Sequence, residues 1–177
     1  MSASAASLSN IKREMEVLAL QDRFLTLDEV KHPVLLQGVA YWQDIRGARK
    51  FPSRADVTPR GLGTLLRNTL LIAVVDGGAD YQFRIVGDAP VLALGRNFQG
   101  VCLSEMDATG NMRGVTCRQL YGSVVSSGEP RAIRGCMASN IERMFPIQCE
   151  AVFLPLGPDE ATVDYLLGFT VCISHKF

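Results

Sequence analysis

The sequence predicts an α+β fold: a five-stranded antiparallel sheet with helices on one face and an N-terminal helical extension. Three observations predict it. Asp76-Gly77-Gly78-Ala79 separates two apolar runs, and glycine supplies the positive φ that a tight hairpin needs. A helical period over residues 111–126 is followed by three segments that read as strands. No long alternation of strand and helix is present, which disfavours a parallel sheet.

Taken in order, a Ser/Ala-rich tail leads to Ser9 or Asn10, either of which can cap a helix. Ile11, Met15 and Leu18 then recur at helical spacing with charged residues around them. So narrow an apolar stripe packs one neighbour, either the parent domain or a second copy of the chain. Pro33 suits the first position of the next helix, whose face carries Leu35, Val39 and Trp42 and which Gly47 ends. An irregular loop follows, and Arg54 and Asp56 are expected to fix it. Thr58 and Pro59 start a short helix that Gly61 and Gly63 weaken.

The first strand is read over 70–75 and the second over 80–87, with Tyr81, Phe83 and Ile85 on one face. Short helices follow near 90–94 and 101–106, then a longer helix from a Thr109 or Asn111 cap to about Ser126. Strands are expected over 131–139, 145–156 and 162–173. In the last, Val163, Tyr165, Leu167, Phe169, Val171 and Ile173 alternate with Asp164, Leu166, Gly168, Thr170, Cys172 and Ser174. Both faces of the first hairpin are apolar, so a second layer must cover the sheet, and the N-terminal helices are the available cover. The chain divides into a tail and amphipathic helix (1–30), a helical segment packing on the sheet (31–67) and the core (68–177).

Composition narrows function by exclusion. A net charge of +0 and no basic stripe argue against nucleic acid. No apolar run is long enough for a membrane span, and the N-terminus lacks the apolar centre of a secretory signal. The five cysteines, Cys102, Cys117, Cys136, Cys149 and Cys172, are widely spaced without a CxxC pair. They are expected as free, mostly buried thiols in a cytoplasmic protein.

Several pieces in sequence carry a resemblance. They are Tyr41-Trp42, Arg46-Gly47, Pro52-Ser53-Arg54-Ala55-Asp56 and Pro59, then Phe83-Arg84-Ile85-Val86-Gly87, Gly95-Arg96, Gly100, Leu103-Ser104-Glu105-Met106 and Pro155-Leu156. With the order of elements, this set resembles a PAS domain, and more narrowly a bacterial family of small PAS-type proteins, the fifth PAS family. The resemblance covers about Gly38 to Ser174. It implies a PAS-like core and a sensory or scaffolding module that binds a small molecule, a partner protein or both, with ligand and cofactor unassigned.

The chain departs from PAS relatives of known chemistry. Light-oxygen-voltage PAS domains place a reactive cysteine in a pattern that Gly95-Arg96-Asn97-Phe98-Gln99 resembles, but Phe98 stands at the cysteine position. Cys102, four residues on, is read as a packing thiol. Haem-binding PAS domains use a histidine on the long helix; 111–126 holds none, and His32 and His175 lie near opposite ends. The Asp-Ile-Thr turn that often links a PAS domain to its output is replaced by Ser174-His175-Lys176-Phe177, so a signal is expected to leave through a partner or the N-terminal helices.

Arg84 has two readings. It pairs with a carboxylate such as Glu150 or lies along the surface, or it anchors a ligand carboxylate or phosphate. Tyr121, Met137, Phe153 and Phe169 are core residues that line any cavity present. The expectation is a non-enzymatic, stand-alone cytoplasmic PAS-type sensor, a homodimer that binds a small ligand or a signalling partner, with no metal, nucleic acid or membrane. The alternatives are a small enzyme using a buried Glu105, Asp107 or Glu150, and a pure dimerisation or docking module.

Overall fold

A computed structural model describes residues 22–108, 114–137 and 147–173. The expected helix at Ile11, Met15 and Leu18, and the Thr109 and Asn111 caps, lie outside the described residues. The sheet has six strands rather than five. They are β1 (Arg23–Leu25), β2 (Thr69–Val75), β3 (Asp80–Val86), β4 (Arg131–Met137), β5 (Ile147–Leu156) and β6 (Tyr165–Ile173). All pairings are antiparallel, in the spatial order β1-β4-β5-β6-β2-β3. The added strand, β1, has only three residues and runs along β4, Leu25 opposite Ala132. So short a run shows no alternation of its own, and its pairing comes from the β4 edge it covers.

Cross-strand register divides the sheet into two faces. On one face the rows are Gly135–Cys149–Cys172, Ile133–Ala151–Thr170 and Arg131–Phe153–Gly168, the last continued by Leu70. On the other are Arg134–Glu150–Val171, Ala132–Val152–Phe169 and Leu154–Leu167–Leu71.

The second face is covered by helix α1 (Pro33–Arg46), which packs on β5 and β6. His32 caps α1, its ring nitrogen accepting the Val34 N–H, and Pro33 occupies the first turn. Leu35, Gly38, Val39 and Trp42 form its buried stripe. Gly38 has a steric reason: a Cβ there would stand 2.3 Å from the Phe169 ring. Trp42 donates its indole N–H to the Pro155 carbonyl at 2.9 Å, which locks α1 to β5. The expected cover over the second sheet face is thus α1, and helices lie on both faces rather than one.

After α1 the loop is held as its residue types suggest. Asp56 accepts the Ser53 N–H and hydroxyl and an Arg49 N–H. Those bonds, the Ser53 backbone first, hold its carboxyl below the usual range. Arg54 donates to the Val57 carbonyl. The short helix α2 (Pro59–Leu62) is capped by Thr58, whose hydroxyl accepts the Gly61 N–H.

The β2–β3 hairpin departs from simple alternation. Leu71 faces Ile85, but Ile72 faces Phe83, so Arg84 is an extra residue on β3. Beyond this bulge the strand changes face. Tyr81 and Phe83 are buried, whereas Ile85, read as their companion, lies opposite Leu71 on the α1 side. Helices α3 (Asp88–Leu94), α4 (Leu103–Ala108) and α5 (Gly114–Ser127) cover the first face. One hydrophobic core joins both layers, from Leu25 to Val171, and crosses the boundary drawn from sequence at residue 68.

Candidate ligand cavity

The face under α3, α4 and α5 is built from small side chains. Gly135, Cys149, Ala151, Thr170 and Gly168 occupy neighbouring positions of β4, β5 and β6. Of the large residues of the same strands, Leu154, Leu167 and Phe169 lie on the α1 face, and Ile133 and Phe153 flank the small ones. A sheet face this shallow cannot fill the space beneath a helical layer, and a cavity of about 90 Å³ remains.

Its floor is Leu70, Ile133, Gly135, Cys149, Ala151, Phe153 and Thr170. Its roof is Pro90 of α3, Phe98 of the following loop, and Thr116, Cys117, Leu120 and Tyr121 of α5. Asp22, beside β1, completes the lining; a Cβ at Gly135 would collide with its carboxylate. The lining is predominantly apolar.

Aromatic edges brace the roof. The Tyr121 ring lies 5.2 Å from Tyr81 and 4.9 Å from Phe153, and Phe83 meets Phe98 edge-on at 4.9 Å. Tyr121 is fully buried, with its hydroxyl bonded to the Cys117 side chain, and burial, with Cys117 beside it, pushes its pKa far up. Thr170 is different. It is 4% exposed, its carbonyl accepts the Asn68 amide at 2.8 Å, and its hydroxyl has no hydrogen-bond partner among the described residues.

A polar brace outside the cavity ties its roof together. Asp80 accepts the Tyr81 and Ser104 N–H groups and the Ser104 hydroxyl, anchoring α4 to the hairpin. Arg118 of α5 lies 3.6 Å from both Asp80 and Asp107 and donates to the Ala79 carbonyl. Burial alone would raise the Asp80 pKa, but the bonds from Ser104 and Tyr81, with Arg118 nearby, outweigh it and hold it low.

The residues singled out from sequence fall in different places. Tyr121 and Phe153 border the cavity. Phe169 is buried on the opposite face under α1. The side chain of Met137, in β4, lies outside the described residues. Arg84 is exposed at the bulge, donates to the Gln82 side chain, and does not line the cavity. Its expected partner Glu150 instead receives two bonds from Arg134, at 2.9 and 2.8 Å, on the α1 face. Of the carboxylates weighed as acids or bases, Glu105 and Asp107 are exposed and Glu150 lies across the sheet from the cavity.

Cysteine placement needs one correction. Cys149 and Cys172 are direct cross-strand partners with Cα atoms 4.2 Å apart and are joined as a disulfide, so these two are not free thiols. Cys102 is a free cysteine whose thiol is pushed up by burial and by the Asp80 and Glu105 carboxylates, which disfavours the reactive thiolate. Among the described residues no group of three His, Cys, Asp or Glu side chains is placed to hold a metal, and no helix is long and apolar enough to cross a membrane.

Thr170, Ala151, Cys149 and Gly135 were not singled out from sequence. Their signal was the run Gly168, Thr170, Cys172 along one side of β6: small residues at period 2 beneath a helix mark a hollow.

One layer of helices, α3–α5, roofs an antiparallel sheet over a small, mainly apolar cavity, the arrangement of an α+β domain with a site for a small molecule. The chain belongs to the PAS-domain family, whose model matches residues 30–171. No curated protein matches it significantly. Among solved structures, an RNA-binding light-oxygen-voltage receptor is similar at 12% identity with a TM-score of 0.43. The match covers 62% of this chain, and the chain spans 32% of that receptor's length.

Proposed function

We propose that this PAS domain is a non-catalytic sensor that takes a small, mainly apolar molecule into the cavity between the sheet and α3–α5. The observation that carries the reading is the hollow floor of Gly135, Cys149, Ala151 and Thr170 beneath an apolar roof. A ligand there touches α3 and α5 at once, so it favours the arrangement in which both are docked. The response then passes through the helical surface to a second copy of the chain or to a partner protein. A homodimer belongs to this reading, and light scattering tests it.

The direct experiment is a thermal-shift screen of a small-molecule panel on the wild type and on Ala151→Leu, which fills the floor. The reading predicts stabilising compounds whose effect Ala151→Leu removes while the variant stays folded. Compounds that stabilise both proteins equally would place binding elsewhere.

A further inference from the structure

We propose that the molecule taken by this cavity is compact and carries no negative charge, with one carbonyl or hydroxyl group that hydrogen-bonds to the Thr170 hydroxyl; this rests on the cavity being the sensor site. A buried hydroxyl normally has a partner, because leaving it unpaired in an apolar surrounding is costly. Thr170 is buried, faces the cavity, and its Oγ1 has none among the described residues. No neighbouring polar group bonds it: the Tyr121 hydroxyl is engaged with Cys117, Asn68 donates to the Thr170 carbonyl, and the other polar side chains of the lining, Asp22 and Thr116, do not reach it. The rest of the wall near Thr170 is hydrocarbon and sulfur, including Ala151, Leu120 and Cys149. A ligand oxygen is the missing partner.

Size and charge narrow the class further. The cavity, about 90 Å³, is smaller than an engineered apolar cavity of roughly 150 Å³ that takes benzene. Its lining includes no Arg, Lys or His, and its one charged side chain is Asp22. A buried carboxylate or phosphate would therefore lack a counter-charge and lose its hydration without compensation. Short ketones, aldehydes and alcohols meet both conditions.

The test uses two small probes of equal shape, acetone and 2-methylpropene, which differ by one oxygen for one methylene. Dissociation constants are measured by methyl-resolved NMR on the wild type, Thr170→Val and Thr170→Ser. Thr170→Val keeps the side-chain shape and removes the hydroxyl, so the acetone preference relative to the alkene falls roughly threefold to tenfold. Thr170→Ser keeps the preference. If both probes bind and Thr170→Val leaves their ratio unchanged, the hydroxyl anchor is wrong while the cavity reading stands. If neither probe moves a cavity methyl in the wild type, both are wrong.

Discussion

Gly168 of β6 lies directly across from Phe153 of β5, and the Phe153 ring occupies the space that a side chain at 168 would need. A Cβ at Gly168 would stand 2.8 Å from Phe153 Cε1 and 3.2 Å from Leu70 Cβ. Gly168→Ala therefore pushes the ring toward Tyr121 and into the cavity. Overpacking of this kind costs about 1–3 kcal/mol. Urea denaturation should show that loss, and Gly168→Ala combined with Phe153→Leu should recover most of it, since the two residues share one volume.

Gly38 tests the other layer, with a sign opposite to intrinsic propensity. Alanine in a helix normally gains up to about 1 kcal/mol over glycine. Here the added methyl meets the Phe169 ring at 2.3 Å, so Gly38→Ala should destabilise by about 1–3 kcal/mol. Its denaturation midpoint should fall below that of the wild type; a rise would mean that α1 is not seated on Phe169.

These two glycines show how far the sequence could be read. The five longer strands, the hairpin turn, the start of α1 at Pro33 and the need for a second layer were legible, because periodicity and turn chemistry are local; the three-residue β1 was not. The β3 bulge was not: one extra residue at Arg84 leaves composition unchanged yet moves Ile85 to the other face. Phe169 and Phe153 looked alike as aromatic strand residues. Only the cross-strand register places Phe153 at the cavity and Phe169 under α1. The cavity was hidden for a related reason, since the middle of its floor, Gly135, Cys149, Ala151 and Thr170, consists of side chains too small to draw notice in a search for binding groups.

Acid should loosen the roof through Asp80. Its folded-state pKa lies below the ordinary 3.8. The carboxylate therefore contributes stability above that value and loses it as pH falls through the folded pKa. Asp80→Asn should cost about 1 kcal/mol at pH 7, and the gap from the wild type should close below about pH 4. Urea midpoints across that range check it; a gap that widens in acid would contradict the assignment.

The Cys149–Cys172 bond closes a loop of sequence separation 23. Constraint of the unfolded chain by such a bond amounts to roughly 3 kcal/mol. Reductant should lower the denaturation midpoint of the wild type and leave Cys149→Ala/Cys172→Val unmoved. An unchanged wild-type midpoint would show that the two sulfurs are not bonded in solution.

The central claim is that a small molecule sits between the sheet and α3–α5, and methyl-resolved NMR during titration with acetone tests it most directly. The account predicts shifts at Ala151, Thr170, Leu120 and Ile133, which line the cavity, and none at Leu35, Val39 or Val171 on the α1 face. Shifts confined to the α1 face, or none at the cavity methyls, would contradict it.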